Sequence, residues 1–166
     1  MSLRERLLAR PRPFDTYPLR IDDDTEPRTT LERARTLLRV LQFQGEAADE
    51  GAVRAVKADV AAAEVALAAC YEPVILRAMP PDDFEALIAL HKPRAGTEDT
   101  SWNLDTFPQA CFRECVESDL TDAEWDRVWK EVLSHGERNE LCIAAIRANV
   151  RVPDSTLPKG WTQSRA

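Results

Sequence analysis

The chain has 166 residues, 44% hydrophobic and 31% charged, and a formal net charge of −7. That length suits one domain with its own core, needing neither disulfides nor a metal. The acidic bulk excludes phosphate-backbone binding, which needs clustered cations.

Only five glycines stand among abundant Ala, Leu, Glu and Arg, so the composition leans to helix. Charge is uneven: residues 1–39 hold nine Arg against seven acids, leaving −9 for the remainder. Arg4, Arg6, Arg10 and Arg12 form a basic arm over a short helix at 2–10, which Pro11 and Pro13 end. Residues 14–22 read as extended, and Pro18 restricts them to a sheet edge. Asp22–Pro27 reads as a turn.

Thr29 and Glu32 have capping-box spacing and predict a helix start. Leu31, Ala34, Leu38 and Leu41 follow at steps of three and four. Val53, Val56, Val60, Ala63, Leu67 and Cys70 repeat the rhythm. Such spacing marks the a and d positions of a heptad seam. Gly45 is placed to stop the first helix, so the two runs predict an antiparallel αα-hairpin over 29–71.

Residues 71–76 read as extended before Pro80 and Pro81. Asp82 and Glu85 suggest another capping box, with a short amphipathic helix at 84–91. A polar loop at 92–100 leads to a helix at 106–117, whose buried face holds Ala110, Cys111, Phe112 and Cys115. Thr121 and Glu124 are the clearest start signal, worth about 1 kcal/mol, with Leu120 placed to staple onto Trp125. Trp125, Val128, Trp129, Val132 and Leu133 then form one apolar stripe. Ser134 and Glu137 begin the last helix, with Leu141, Ala144, Ala145 and Val150 on its buried side. Pro153 and Pro158 break the chain into a tail.

No run reaches the ~18 apolar residues of a membrane span. The N-terminus carries charge without the apolar stretch of a secretory signal. Four cysteines without disulfide-framework spacing imply a reducing compartment. Cys111 and Cys115, four apart, could join Cys142 or His135 around zinc, but their spacing is that of core hydrophobes and no metal is expected. His91 and His135 have no nucleophile in a strand-to-helix turn beside them, and no phosphate-binding glycine motif is present. A non-enzymatic protein with no cofactor is the expectation. The paired carboxylates sit in caps and loops, where they answer helix N–H groups.

From Ala69 onward the segments ACYEPVILRAMPPDDFEALIALHKP, WNLDTFPQACFRECVESDLTDAEWDRVWKEVLSHGERNELCIAAIRANVR and PDSTLPKG follow one another. In order and spacing this chain resembles the tail assembly chaperones of long-tailed phages and prophages of actinobacteria. The likeness is strongest over 69–160, and the N-terminal layout is similar too. Cys142 and Ile143 depart from it, standing where an aromatic is expected.

The resemblance implies a protein that binds the tape measure protein and keeps it soluble in the bacterial host cytoplasm during tail assembly. The major tail tube protein is a further implied partner, and the chaperone is absent from the mature virion. It implies several copies per partner, self-association, and a longer frameshifted form in many such systems.

The fold expected is mainly α: an αα-hairpin followed by a small helical bundle, with a short extended N-terminal segment. The domain plan is an arm and extended segment at 1–28, a helical domain at 29–152 (hairpin 29–71, bundle 81–150), and a flexible tail at 153–166. The candidate partner-binding residues are Leu31, Leu38, Leu41, Val53, Val60, Leu67, Trp125 and Trp129. Neither nucleic acid nor membrane is an expected partner. The rival reading is a helical adaptor or regulatory inhibitor of a single protein partner.

Overall fold

A computed structural model describes residues 2–45 and 49–150; the expected tail at 153–166 lies outside them. The protein is mostly helical, with seven α-helices and a small three-stranded sheet among the described residues. The elements run α1 (Leu3–Leu8), β1 (Phe14–Arg20), α2 (Thr25–Phe43), α3 (Glu50–Ala68), β2 (Tyr71–Arg77), α4 (Pro81–Leu90), α5 (Phe107–Cys115), β3 (Val116–Glu117), α6 (Asp122–Arg127) and α7 (His135–Val150). A π-helical turn, Val128–Val132, extends α6. The strand order is β1-β2-β3, so Pro18 is on an edge strand, where its missing N–H removes no central ladder bond.

The described residues divide into two compact units: those within 17–74, and residues 2–16 with 75–150. The larger unit packs α5 against α4 and α7. Leu76, Phe107, Cys111, Phe112, Leu141 and Ala145 are wholly removed from water. Phe112 meets the Trp125 ring edge-on at 5.2 Å and lies 5.1 Å from that of Trp129. Trp102 stacks on Phe107 at 4.5 Å, with Phe84 edge-on to Phe107 at 5.8 Å. β2 and β3 pair antiparallel, Leu76 opposite Val116, and Arg77 Nη2 donates to Glu117 Oε2 at 2.9 Å.

Local signals explain several helix ends. Thr121 and Glu124 cap α6 reciprocally, as Ser134 and Glu137 do for α7. Ser2 and Glu5 form a third box on α1, which the sequence reading did not name. Gly45 takes φ +59° just beyond α2, a conformation natural to glycine.

Several expectations need correction. α2 begins at Thr25, a turn before Thr29, whose hydroxyl donates back to the Thr25 carbonyl. Pro27 is tolerated there because first-turn N–H groups have no helical partner. Asp82 and Glu85 form no box, because α4 already starts at Pro81 behind Pro80. The expected helix at 106–117 ends at Cys115, and Val116–Glu117 pair with β2 instead. The stripe through Val132 breaks because the π turn shifts the register, burying Leu133 and leaving Val132 69% exposed. In α7, Ala148 is buried where Val150 was expected, and Val150 is half exposed.

Candidate partner-binding surface

The smaller unit is built on α2 and α3, two 19-residue helices packed against each other. Of the expected seam, Leu31, Val56, Ala63 and Cys70 are buried. Leu38, Leu41, Val53, Val60 and Leu67 are only half-buried. Two helices alone cannot enclose a seam, since each covers one side of its partner. Arg35 Nη2 donates to Glu64 Oε1 at 2.7 Å, and both residues hold the e position of their heptads. Contact between e positions is the arrangement of oppositely directed helices.

The heptad then divides the outer surface of the pair. The flank of e and b positions is charged: Glu32, Arg35 and Arg39 on α2, Arg54, Lys57 and Glu64 on α3. The opposite flank, of g and c positions, carries Leu37 and Val40 from α2 and Ala55, Ala62 and Ala66 from α3. Leu37 is 49% exposed and Val40 51%. Its charged residues between those levels are Arg33 and Asp59. Phe43, at the end of α2, is 95% exposed and lines a shallow depression with Thr36, Arg39, Val40 and Gln44.

The base of the pair is pinned by polar contacts. The Cys70 carbonyl accepts from the Ile21 N–H at 2.9 Å and the Asp22 N–H at 3.3 Å. The buried Asp24 carboxylate accepts from the Tyr71 hydroxyl, from Arg28, and from Arg20 Nη1 at 3.3 Å. The Tyr71 and arginine hydrogen bonds hold this carboxyl well below the usual carboxylate range. That use of Asp24 explains why, although it stands at the N-cap of α2, its side chain makes no cap bond.

The other expected site residues lie in the larger unit. Trp125 is buried, its Nε1 donating to Ser118 Oγ at 2.8 Å, and Trp129 is half-buried against Phe112. The seam residues and these tryptophans therefore form two separate groups, each packed mainly within its own unit.

All four cysteines are free and buried. Asn149 gathers two of them: its Nδ2 donates to Cys115 Sγ at 3.1 Å, to Cys111 Sγ at 3.7 Å and to the Ala145 carbonyl at 2.9 Å. Its Oδ1 accepts from the Met79 N–H at 2.8 Å. The two thiols are coupled, so that Cys111 is pushed up while Cys115, held by its neighbour and by Asn149, is drawn down, and burial pushes Cys142 up to about 11. Among the described residues, no group of three His, Cys, Asp or Glu side chains is arranged to hold a metal ion. No helix among them is long and apolar enough to cross a membrane.

Sequence periodicity found the seam but not the uncovered flank. The signal lay in the alanines at c and g of α3, once Arg35 and Glu64 had fixed which positions face each other. No family model, no curated protein and no solved structure matches this chain.

Proposed function

We propose that this protein is a tail assembly chaperone of a long-tailed phage or prophage, a non-enzymatic holdase for the tape measure protein in the host cytoplasm. The sequence resemblance over 69–160 motivates the reading. The observation that carries it is the apolar flank of α2 and α3, where Leu37 and Val40 stand about half exposed. In this reading α2 and α3 form a hairpin that presents the flank, and the larger unit is a small helical bundle.

A tape measure protein is long and helix-rich, and its apolar helix faces aggregate unless covered. A partner helix laying such a face on the flank is helix-in-groove recognition. The charged opposite flank keeps the complex soluble. Weak contact per site, repeated over many copies, gives avidity along the long protein and still permits release. The tail tube protein, polymerising around the tape measure, is the partner that displaces the chaperone.

The test is co-expression with the tape-measure-like protein encoded nearby. The wild type is expected to hold that protein in the soluble fraction and co-purify with it. The Leu37→Glu, Val40→Glu double variant, with its helical circular dichroism intact, is expected to lose both effects. A long protein that stays insoluble beside the wild type sinks the reading and leaves the adaptor role.

A further inference from the structure

We propose that a furrow on the charged flank of the helix pair, at the end near Gly45, binds an acidic amphipathic helix of a partner protein. The chaperone reading places its client on the other flank, so this inference goes beyond that reading and does not rest on it.

The furrow is the uncovered side of the seam. Leu41 of α2 and Val53 of α3 lie in it, with Arg54 and Lys57 along its α3 wall. Leu38 continues the apolar floor along α2, beside Arg39. All three floor residues are only half-buried. Two packed helices leave a furrow beside their line of contact, and a third helix is the element that fills it. From Arg35 to Gln42 the furrow runs about 10 Å, which takes about two turns of a partner helix. Over that length a partner presents apolar residues at i, i+3 or i+4, and i+7 to the floor.

Charge decides what flanks that apolar stripe. Arg39 stands on one wall and Arg54 and Lys57 on the other, all exposed. Among the described residues none of the three is in an ion pair, and Arg39 Nη2 donates only to Thr36 Oγ1, at 3.2 Å. Glu50 is the acid that lines this end. Toward the other end of the pair the balance changes, because Arg35 is taken by Glu64 and Glu32 stands nearby. In a chain of net charge −7, the Gly45 end of this flank is a local excess of cations around an apolar floor. Rim cations steer and orient carboxylates, while the floor buries the apolar side chains between them.

A protein helix fits better than a nucleic acid. A phosphate backbone needs a track of clustered cations, which Glu50, Glu32 and Glu64 interrupt, and it gains nothing from Leu38, Leu41 and Val53.

The test is fluorescence anisotropy of the full chain with a labelled helical peptide of Leu, Ala and Glu, its leucines on one face. Binding is expected, and it should weaken as salt is raised. A peptide of the same composition with scattered leucines, the same helix with Lys for Glu, and a single-stranded oligonucleotide are each expected to bind at least about tenfold more weakly. Arg54→Glu with Lys57→Glu turns two attractions into repulsions and is expected to weaken binding about tenfold or more. Arg54→Gln with Lys57→Gln, which only removes the charges, should cost about threefold. The Leu37→Glu, Val40→Glu variant is expected to bind the peptide as wild type does. Circular dichroism checks that each variant is folded. No binding of the acidic helix overturns the proposal, as does equal binding of the scattered peptide. An oligonucleotide bound as tightly replaces the partner helix with a nucleic acid. Indifference to both pairs of substitutions, or loss of binding in the Leu37→Glu, Val40→Glu variant, removes the furrow as the site.

Discussion

The two units bury their apolar side chains to very different depths. In the larger one Phe107, Phe112, Leu76 and Leu141 are wholly enclosed by helices approaching from several directions. In the smaller one the middle of the seam, Leu38 and Val60, is only half-buried, and Leu37 and Val40 stand about half exposed. Periodic sequence is equally good in both. What separates them is the number of neighbouring elements, since a helix pair has no third layer to close over it. The larger unit therefore holds the more deeply buried core, and the helix pair of the smaller keeps its apolar side chains only partly covered.

Substitution at contrasting depth is the most forceful way to break that comparison. Phe112→Ala is expected to cost about 3–5 kcal/mol, because it empties a site lined by Trp125 and Trp129. Leu38→Ala is expected to cost only about 1–2 kcal/mol, since much of that side chain already meets water. Denaturant midpoints of the two variants measure the gap, and equal losses would show that the helix pair is as tightly packed as the larger unit.

A smaller effect tests whether local signals hold α6. Thr121→Ala removes the hydroxyl that accepts from the Glu124 N–H, and about 1 kcal/mol of stability should go with it. Thr121→Ser keeps the oxygen and is expected to behave as wild type in the same unfolding assay.

The finest distinction is in acid. Asp24 titrates lower in the fold than in the unfolded chain, so its contribution is complete above about pH 4. It is lost as pH falls through the depressed folded value. Arg20 and Arg28 are more than half exposed, so water screens the effect and keeps it small. Wild type should begin to lose this stability as pH drops below about 4, the free carboxylate value. Asp24→Asn should flatten that loss, and a variant as acid-sensitive as wild type would remove Asp24 from the account.

The candidate surface was half legible in the chain. Spacing identified Leu31, Leu38, Leu41, Val53, Val60 and Leu67 as one apolar set, and they do lie along α2 and α3. It could not say that the seam would face inward while Leu37 and Val40 stayed open. Periodicity states which side chains share a face, not which faces find a neighbour.

The sequence by itself determined the features that depend on a few consecutive residues. Thr121 with Glu124, Ser134 with Glu137, and Gly45 with its positive φ satisfy or end helices within one turn, so their chemistry is complete in the local chain. Only the tertiary structure decided the extra first turn of α2, the pairing of Val116 with Leu76 and the π turn that buries Leu133 in place of Val132. The first two join residues far apart in the chain. Tyr71 reaches Asp24 across 47 positions, and Leu76 meets Val116 only after α4 and α5 have packed between them in sequence. Their energy comes from partners that local sequence does not contain.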